Sequence, residues 1–172
     1  MSSEQVRRQP TRGASVVDIG FGPPRLEDGR DLWRIARDSG TLDLNSPYSY
    51  VLWCRDFAAT SVVARAEGGI CGFITGFGRP EDPGTLFVWQ VAVDAAWRGR
   101  GLARRMLDHL AAGGSRFVEA TVTPGNTASD RLFASFARGR GATLRRTPLL
   151  GADLFPGDHE PEVLYRIGPL DG

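Results

Sequence analysis

The residues of this chain that could do chemistry fall into one glycine-rich hexapeptide and two acidic segments. Arg98-Gly99-Arg100-Gly101-Leu102-Ala103 lies between an apolar run, Leu86 to Val93, and an amphipathic stretch from about Gly101 to Ala111. Its glycines let the backbone turn tightly and aim successive N–H groups into one space. A helix opening there adds unpaired donors and a positive dipole end. Together these suit the diphosphate of a large anionic ligand, with Arg98, Arg100 and Arg104 able to add charge at the rim. A turn of this kind can equally be a plain connector between elements. It is neither a dinucleotide nor a nucleoside-triphosphate fingerprint, because the third glycine and the lysine are both missing.

The acidic segments are Asp43, with Tyr48 close behind it, and Glu160 with Glu162. Asp43 can cap or stabilise a turn, and the two glutamates can be ordinary surface acids. All 21 basic residues are arginine, which excludes Schiff-base and phosphate-loop lysines. Cys54, Cys71, His109 and His159 are scattered, so no Cys/His metal pattern exists and no metal is expected. Both cysteines sit in apolar runs and read as reduced core residues. Balanced charge, 21 basic against 20 acidic residues, gives no electrostatic argument for nucleic acid or membrane partners. No leader-like or bilayer-length apolar segment is seen, so a cytoplasmic location is expected.

The elements that must position these residues form one domain over 19–172, preceded by a polar arm over 1–18. Val16 to Ile19 could begin an edge strand. Helical spacing runs from Glu27 to Ser39 and closes at Gly40. Ser46 then caps a second helix with Pro47 in its first turn. Strands Ser61–Ala66 and Ile70–Phe77 flank Glu67-Gly68-Gly69 as a hairpin. After a loop from Pro80 to Gly84, Leu86 to Val93 reads as a central strand buried on both faces. There follow a helix near 101–111, a strand at Phe117 to Thr123, and a helix opened by Asn126. Strands near Ala142 to Arg145 and Val163 to Ile167 end the chain. The fold class is α/β (α+β): a mixed sheet of about six to seven strands with helices on both faces.

Arg98-x-x-Gly101-x-Ala103, placed after a strand, resembles the Gln/Arg-x-x-Gly-x-Gly/Ala motif of the GNAT superfamily of N-acetyltransferases. The element order resembles that fold over roughly Leu26 to Gly168. The resemblance implies acetyl-CoA as cosubstrate, its pyrophosphate on the Arg98–Arg104 loop. It implies a bulged strand offering backbone groups from Val91 to Val93, Ala92 included, to the pantetheine arm. Asn126, with Ser129 and Phe133 on the helix it opens, would contact that arm. Homodimerisation is compatible with the family, although no interface is legible.

Four blocks, 42–48, 87–93, 121–126 and 159–162, are similar to the branch that acetylates L-2,4-diaminobutyrate at its 4-amino group in ectoine biosynthesis. That likeness implies a small amine substrate facing Asp43, Tyr48, Trp89, Glu160 and Glu162. Asp43, Tyr48 and Glu160 are its candidate catalytic groups. An ammonium must lose a proton before it can attack a thioester, so a base is required. Family members often carry a carboxylate on the buried strand and a tyrosine where Phe133 stands; this sequence has neither. Direct attack is therefore expected, with proton removal through water to Asp43 or a late glutamate. Another small amine or a polyamine as acceptor, or CoA binding without turnover, remain alternatives.

Overall fold

The computed structural model describes residues 17–171. The arm expected over 1–18 lies outside them apart from Val17 and Asp18. The edge strand forms later than expected, as β1 (Gly20–Gly22), while Val17 to Ile19 carry no strand pairing. Then come α1 (Gly29–Ser39), α2 (Pro47–Asp56), β2 (Val62–Ala66), β3 (Gly69–Arg79), β4 (Asp82–Val93) and α3 (Leu102–Ala111). The chain closes with β5 (Phe117–Val122), α4 (Thr127–Gly139), β6 (Leu144–Leu150) and β7 (Glu162–Ile167).

Local signals set the helix ends. Gly40 adopts the left-handed conformation (φ 64°) that stops α1. The Ser46 hydroxyl accepts from the Ser49 amide, with Pro47 opening α2. The Asn126 side chain caps α4 by accepting from the Ser129 amide at 3.0 Å.

The strands form one seven-stranded sheet in the order β1-β2-β3-β4-β5-β7-β6. All neighbours are antiparallel except β4 and β5. One core, built around Met106, Leu107, Phe133 and Phe136, holds α3 and α4 on one face. A second, built around Leu32, Ile35, Tyr50 and Phe73, holds α1 and α2 on the other. The mixed sheet covered by helices on both faces is thus present.

Three expectations about strands need correction. The segment from Pro80 to Gly84 is not a loop: β3 runs to Arg79 and β4 starts at Asp82, leaving a two-residue turn. β6 reaches Leu150, well past Arg145, and is largely exposed along its length. β4 is not buried on both faces, since Trp89 is 39 % exposed and Phe87 half-buried. An uninterrupted apolar run does not distinguish a core face from the apolar wall of a cleft.

β4 and β5 pair only over Thr85–Phe87 and Phe117–Glu119, and then part. On the opposite edge, Thr75 pairs with Gln90 but Gly76 with Val88, so Trp89 is the extra residue of a bulge. Gly76 makes this possible. A Cβ there would lie 2.8 Å from the Phe87 carbonyl oxygen and 2.9 Å from that of Thr60. Both are backbone atoms with little room to move. Gly76→Ala should cost about 1–3 kcal/mol in urea unfolding. Gly78→Ala, whose Cβ meets nothing within 4 Å, should stay within about 0.5 kcal/mol.

Candidate active site

Where β4 and β5 separate, the sheet opens into a cleft of about 550 Å³. Val88 to Val91 form one wall, Ala120 to Thr123 the other, and Asn126, Ser129 and Phe133 of α4 line its inner end. Past Phe87 the β5-facing edge of β4 has no strand partner, leaving its peptide groups open to a ligand.

The loop at 98–101 leads into the exposed end of α3. Gly99 (φ 74°) and Gly101 (φ 68°) are both left-handed, and a Cβ on either would meet nothing within 4 Å. Backbone conformation, not crowding, selects glycine there. No side chain caps α3. The first helical amide bond runs from Arg105 back to Gly101, so the N–H groups of Leu102, Ala103 and Arg104 face outward unused.

The expected rim of arginines is only partly present. Arg98 ties the loop down by donating Nε–H to the Val93 carbonyl at 3.3 Å, and Arg100 lies over the Trp97 ring. Arg104 is turned away. It donates to Asp108 (2.8 Å) and to the Ser135 carbonyl (2.7 Å), clamping α3 to α4. One helical turn carries its side chain onto the helix–helix interface, so it offers its amide alone. Leu102 and Ala92 are likewise core side chains that can contribute only backbone.

A second chamber of about 680 Å³ adjoins the cleft, sharing Asp43, Trp89, Thr121, His159 and Glu162 with it. Of the expected acceptor residues, Asp43, Trp89, Glu160 and Glu162 all line the first cleft. Tyr48 does not. It is 69 % exposed and lines neither chamber. Starting α2 at Pro47 buries Tyr50 and Cys54, four apart, and turns Tyr48 to the opposite side. Tyr50 instead reaches the cleft wall through a hydrogen-bond chain: its hydroxyl donates to Gln90 Oε1 (3.0 Å), and Gln90 Nε2 donates to the Asp43 carbonyl (2.9 Å).

Sequence reasoning passed over Gln90 and His159, although both lie within the segments that carry the family likeness. His159 stacks on Phe155 with ring centroids 4.0 Å apart. Its Nδ1 lies 2.5 Å from the Glu160 carbonyl, which can only accept, so Nδ1 carries the hydrogen. Nε2 therefore faces Asp43 Oδ2 (3.4 Å) and Glu162 Oε1 (4.0 Å). The Glu160 carbonyl first, then Asp43, hold the imidazole pKa above its ordinary 6.5. Burial pushes the Glu162 carboxyl above the usual carboxylate range, and its Oε2 is buried without a partner. Asp43, 91 % exposed, lies at the rim.

Cys54 is pushed up to about 11 by burial, and burial also raises Cys71. Neither suits a nucleophile. Phe133 packs edge-on against Tyr165 and brings no hydroxyl into the cleft.

The chain belongs to the Acetyltransferase (GNAT) family, whose sequence profile matches residues 29–137. Within it, relatives from two streptomycetes share one name, L-2,4-diaminobutyric acid acetyltransferase. The Streptomyces avermitilis protein is 63 % identical over 86 % of this chain and 86 % of its own. The Streptomyces coelicolor protein is 58 % identical over 91 % of this chain and 96 % of its own. A solved structure of Paenibacillus lautus diaminobutyrate acetyltransferase EctA, in complex with its substrate L-2,4-diaminobutyric acid and coenzyme A, superposes with a TM-score of 0.85. It is 43 % identical and covers 91 % of this chain and 98 % of its own. The fold is thus the GNAT fold. No helix among the described residues is long and apolar enough to cross a membrane.

The Tyr50–Gln90–Asp43 chain gives a direct check. Gln90→Leu should raise KM for the amine about tenfold by releasing the Asp43 loop. The Kd for CoA, measured by calorimetry, should stay within about twofold.

Proposed function

We infer that this chain is an L-2,4-diaminobutyrate acetyltransferase, moving the acetyl group of acetyl-CoA to the 4-amino nitrogen. The observation that carries the reading is the set of features such a transfer needs: an open helix N-terminus following β4, an unpaired edge on β4, and a pocket of carboxylates along that edge. The first two suit a long polyanionic thioester, and the third suits a substrate with two ammonium groups. The name shared by relatives of 58 and 63 % identity agrees with these features.

The residues present fit acetyl-CoA. The amides of Gly99 to Arg104 would hold the pyrophosphate, and the free edge of β4 around Val91 and Val93 would hold the pantetheine amides. Asn126, Ser129 and Phe133 would flank the arm. When bound, acetyl-CoA supplies the acyl group as a reactive thioester. Backbone N–H groups of β4 past the bulge would polarise its carbonyl.

Trp89 offers a ring to the acceptor's hydrocarbon, and Asp43 and Glu160 draw its ammonium groups in. Glu162 is the base. Its buried, unpartnered Oε2 can take the proton from the 4-ammonium, and His159 can pass it on to solvent. The expectation left proton removal to Asp43 or a late glutamate; Asp43 is too hydrated for it, and Tyr48, the other catalytic candidate besides Glu160, points away. Phe133 cannot protonate the leaving sulfur, so that proton returns from water or from the Glu162–His159 pair. The reading carries with it a cytoplasmic location and, as a family habit, a homodimer; light scattering would check the latter.

Mass spectrometry of the product formed from L-2,4-diaminobutyrate should show one acetyl on N4. A strong preference for spermidine would overturn the reading. Gly101→Val, which forces a β-branched residue to φ 68°, should weaken CoA binding about tenfold or more. Asp43→Ala should leave CoA binding within about twofold and raise KM for the amine. The kcat/KM profile should fall toward acid as Glu162 takes up a proton, at a pH above the ordinary carboxylate range. Glu162→Gln should lower kcat about 10²- to 10⁴-fold and remove that limb.

A further inference from the structure

The two chambers are lined mostly by acids and aromatic or aliphatic side chains, yet the acceptor inferred above also carries a carboxylate. Asp43, Glu160 and Glu162 would repel it. Among the residues lining either chamber, Arg79 is the one arginine. It stands at the end of β3, 38 % exposed, and donates from one terminal nitrogen to Glu119 Oε2 at 3.0 Å. Glu119 is 2 % exposed, and its other oxygen is held by Arg166, which also bonds Asp82 at 3.2 Å. Arg166 is thus neutralised from two sides. Arg79 is oriented by one bond, and its remaining N–H groups have no protein acceptor among the described residues. A guanidinium offers five donors in a rigid fork that matches a carboxylate edge.

The register puts this fork at the right depth. Phe77 pairs with Phe87, and Phe87 with Glu119, so Glu119 lies one same-face step from Thr121, as Phe87 does from Trp89, and the Arg79 side chain, rooted one step further along β3, reaches back to Glu119 at that level. Two residues of strand span roughly 6.6 Å. The four bonds between N4 and the carboxylate carbon of diaminobutyrate span about 5 Å.

We propose that Arg79, held by Glu119, binds the α-carboxylate of the acceptor and makes the enzyme select an α-amino acid over a plain diamine. The proposal rests on the diaminobutyrate reading and adds the residue that sets selectivity within it. Arg79 makes no bond to the reacting nitrogen, so losing it should affect only substrates with a carboxylate.

The test compares L-2,4-diaminobutyrate with 1,3-diaminopropane, its counterpart without the carboxylate, on wild-type enzyme, Arg79→Gln and Arg79→Lys. Wild-type kcat/KM should favour diaminobutyrate by about 100-fold. Arg79→Gln should lose most of that preference through diaminobutyrate alone, with diaminopropane changed less than about threefold. Arg79→Lys, keeping the charge but not the fork, should retain part of it. If Arg79→Gln fails to fold because Glu119 is left half-paired, Arg79→Lys carries the test, with an expected tenfold loss of selectivity, about one decade. Equal losses on both substrates, or an unchanged ratio, would overturn the assignment while leaving the diaminobutyrate reading intact. Failure of the wild-type enzyme to use diaminobutyrate would overturn both.

Discussion

The parting of β4 from β5 after three paired residues is the constraint on which the site depends. Backbone N–H and C=O groups inside a sheet are obligatory hydrogen-bonding groups, and leaving a row of them unpaired is costly unless water or a ligand completes them. Here the cost is confined to one edge of one strand. The Trp89 bulge interrupts the β3–β4 register, and Gly76 on β3 leaves space for the Phe87 and Thr60 carbonyls that approach it. The two helical layers keep the rest of the sheet intact, so the opening remains a cleft. An extended chain of amides can then do for β4 what β5 does not, which makes a pantetheine arm a physical complement to this fold.

Charge is distributed along the cleft to match. At the α3 end, backbone dipoles and unpaired amides favour an anion, and the nearby arginines mostly brace the scaffold. At the far end, Asp43, Glu160 and Glu162 gather on two loops and the start of β7, with His159 between them. A carboxylate that is partly buried gives up its charge more readily, so its proton affinity rises toward that needed to deprotonate an amine near neutrality. Glu162 meets that condition through its burial, whereas Asp43 is almost wholly in solvent.

Much of this was legible because local rules acted alone. Ser46-Pro47 opened a helix, Gly40 closed one, and Gly99 with Gly101 marked an open helix start. Side-chain direction was less legible. Tyr48 and Tyr50 stand two residues apart on a helix whose start was legible, but only the packing of α2 against the sheet decides which of them faces it. Arg104 looked like a phosphate ligand by its position in the motif, but its side chain had a better partner set in Asp108 and Ser135 across the helix pair. β4 was misjudged because Trp89 and Phe87 are apolar whether they line a core or a pocket. Gln90 and His159 gave a weak signal: a lone amide in an apolar strand and a lone imidazole in a loop acquire roles only from partners distant in the chain, Asp43 above all.

The two absences in the motif pattern, a tyrosine at position 133 and an acid on the buried strand, fit one arrangement of the proton chemistry. In this chain the groups that can carry a proton lie on the β6–β7 loop and at the start of β7, on the acceptor side of the cleft. The strand that faces the acyl donor supplies apolar surface and backbone. A base on the acceptor side moves with the acceptor pocket and deprotonates only an amine that already fits there. With Glu162 as the proposed base, catalysis and recognition would share one residue, and a poorly fitting amine would stay protonated as well as loosely bound. Selectivity in such a site need not come from affinity alone, because the acceptor's fit also sets whether its nitrogen has a lone pair to use.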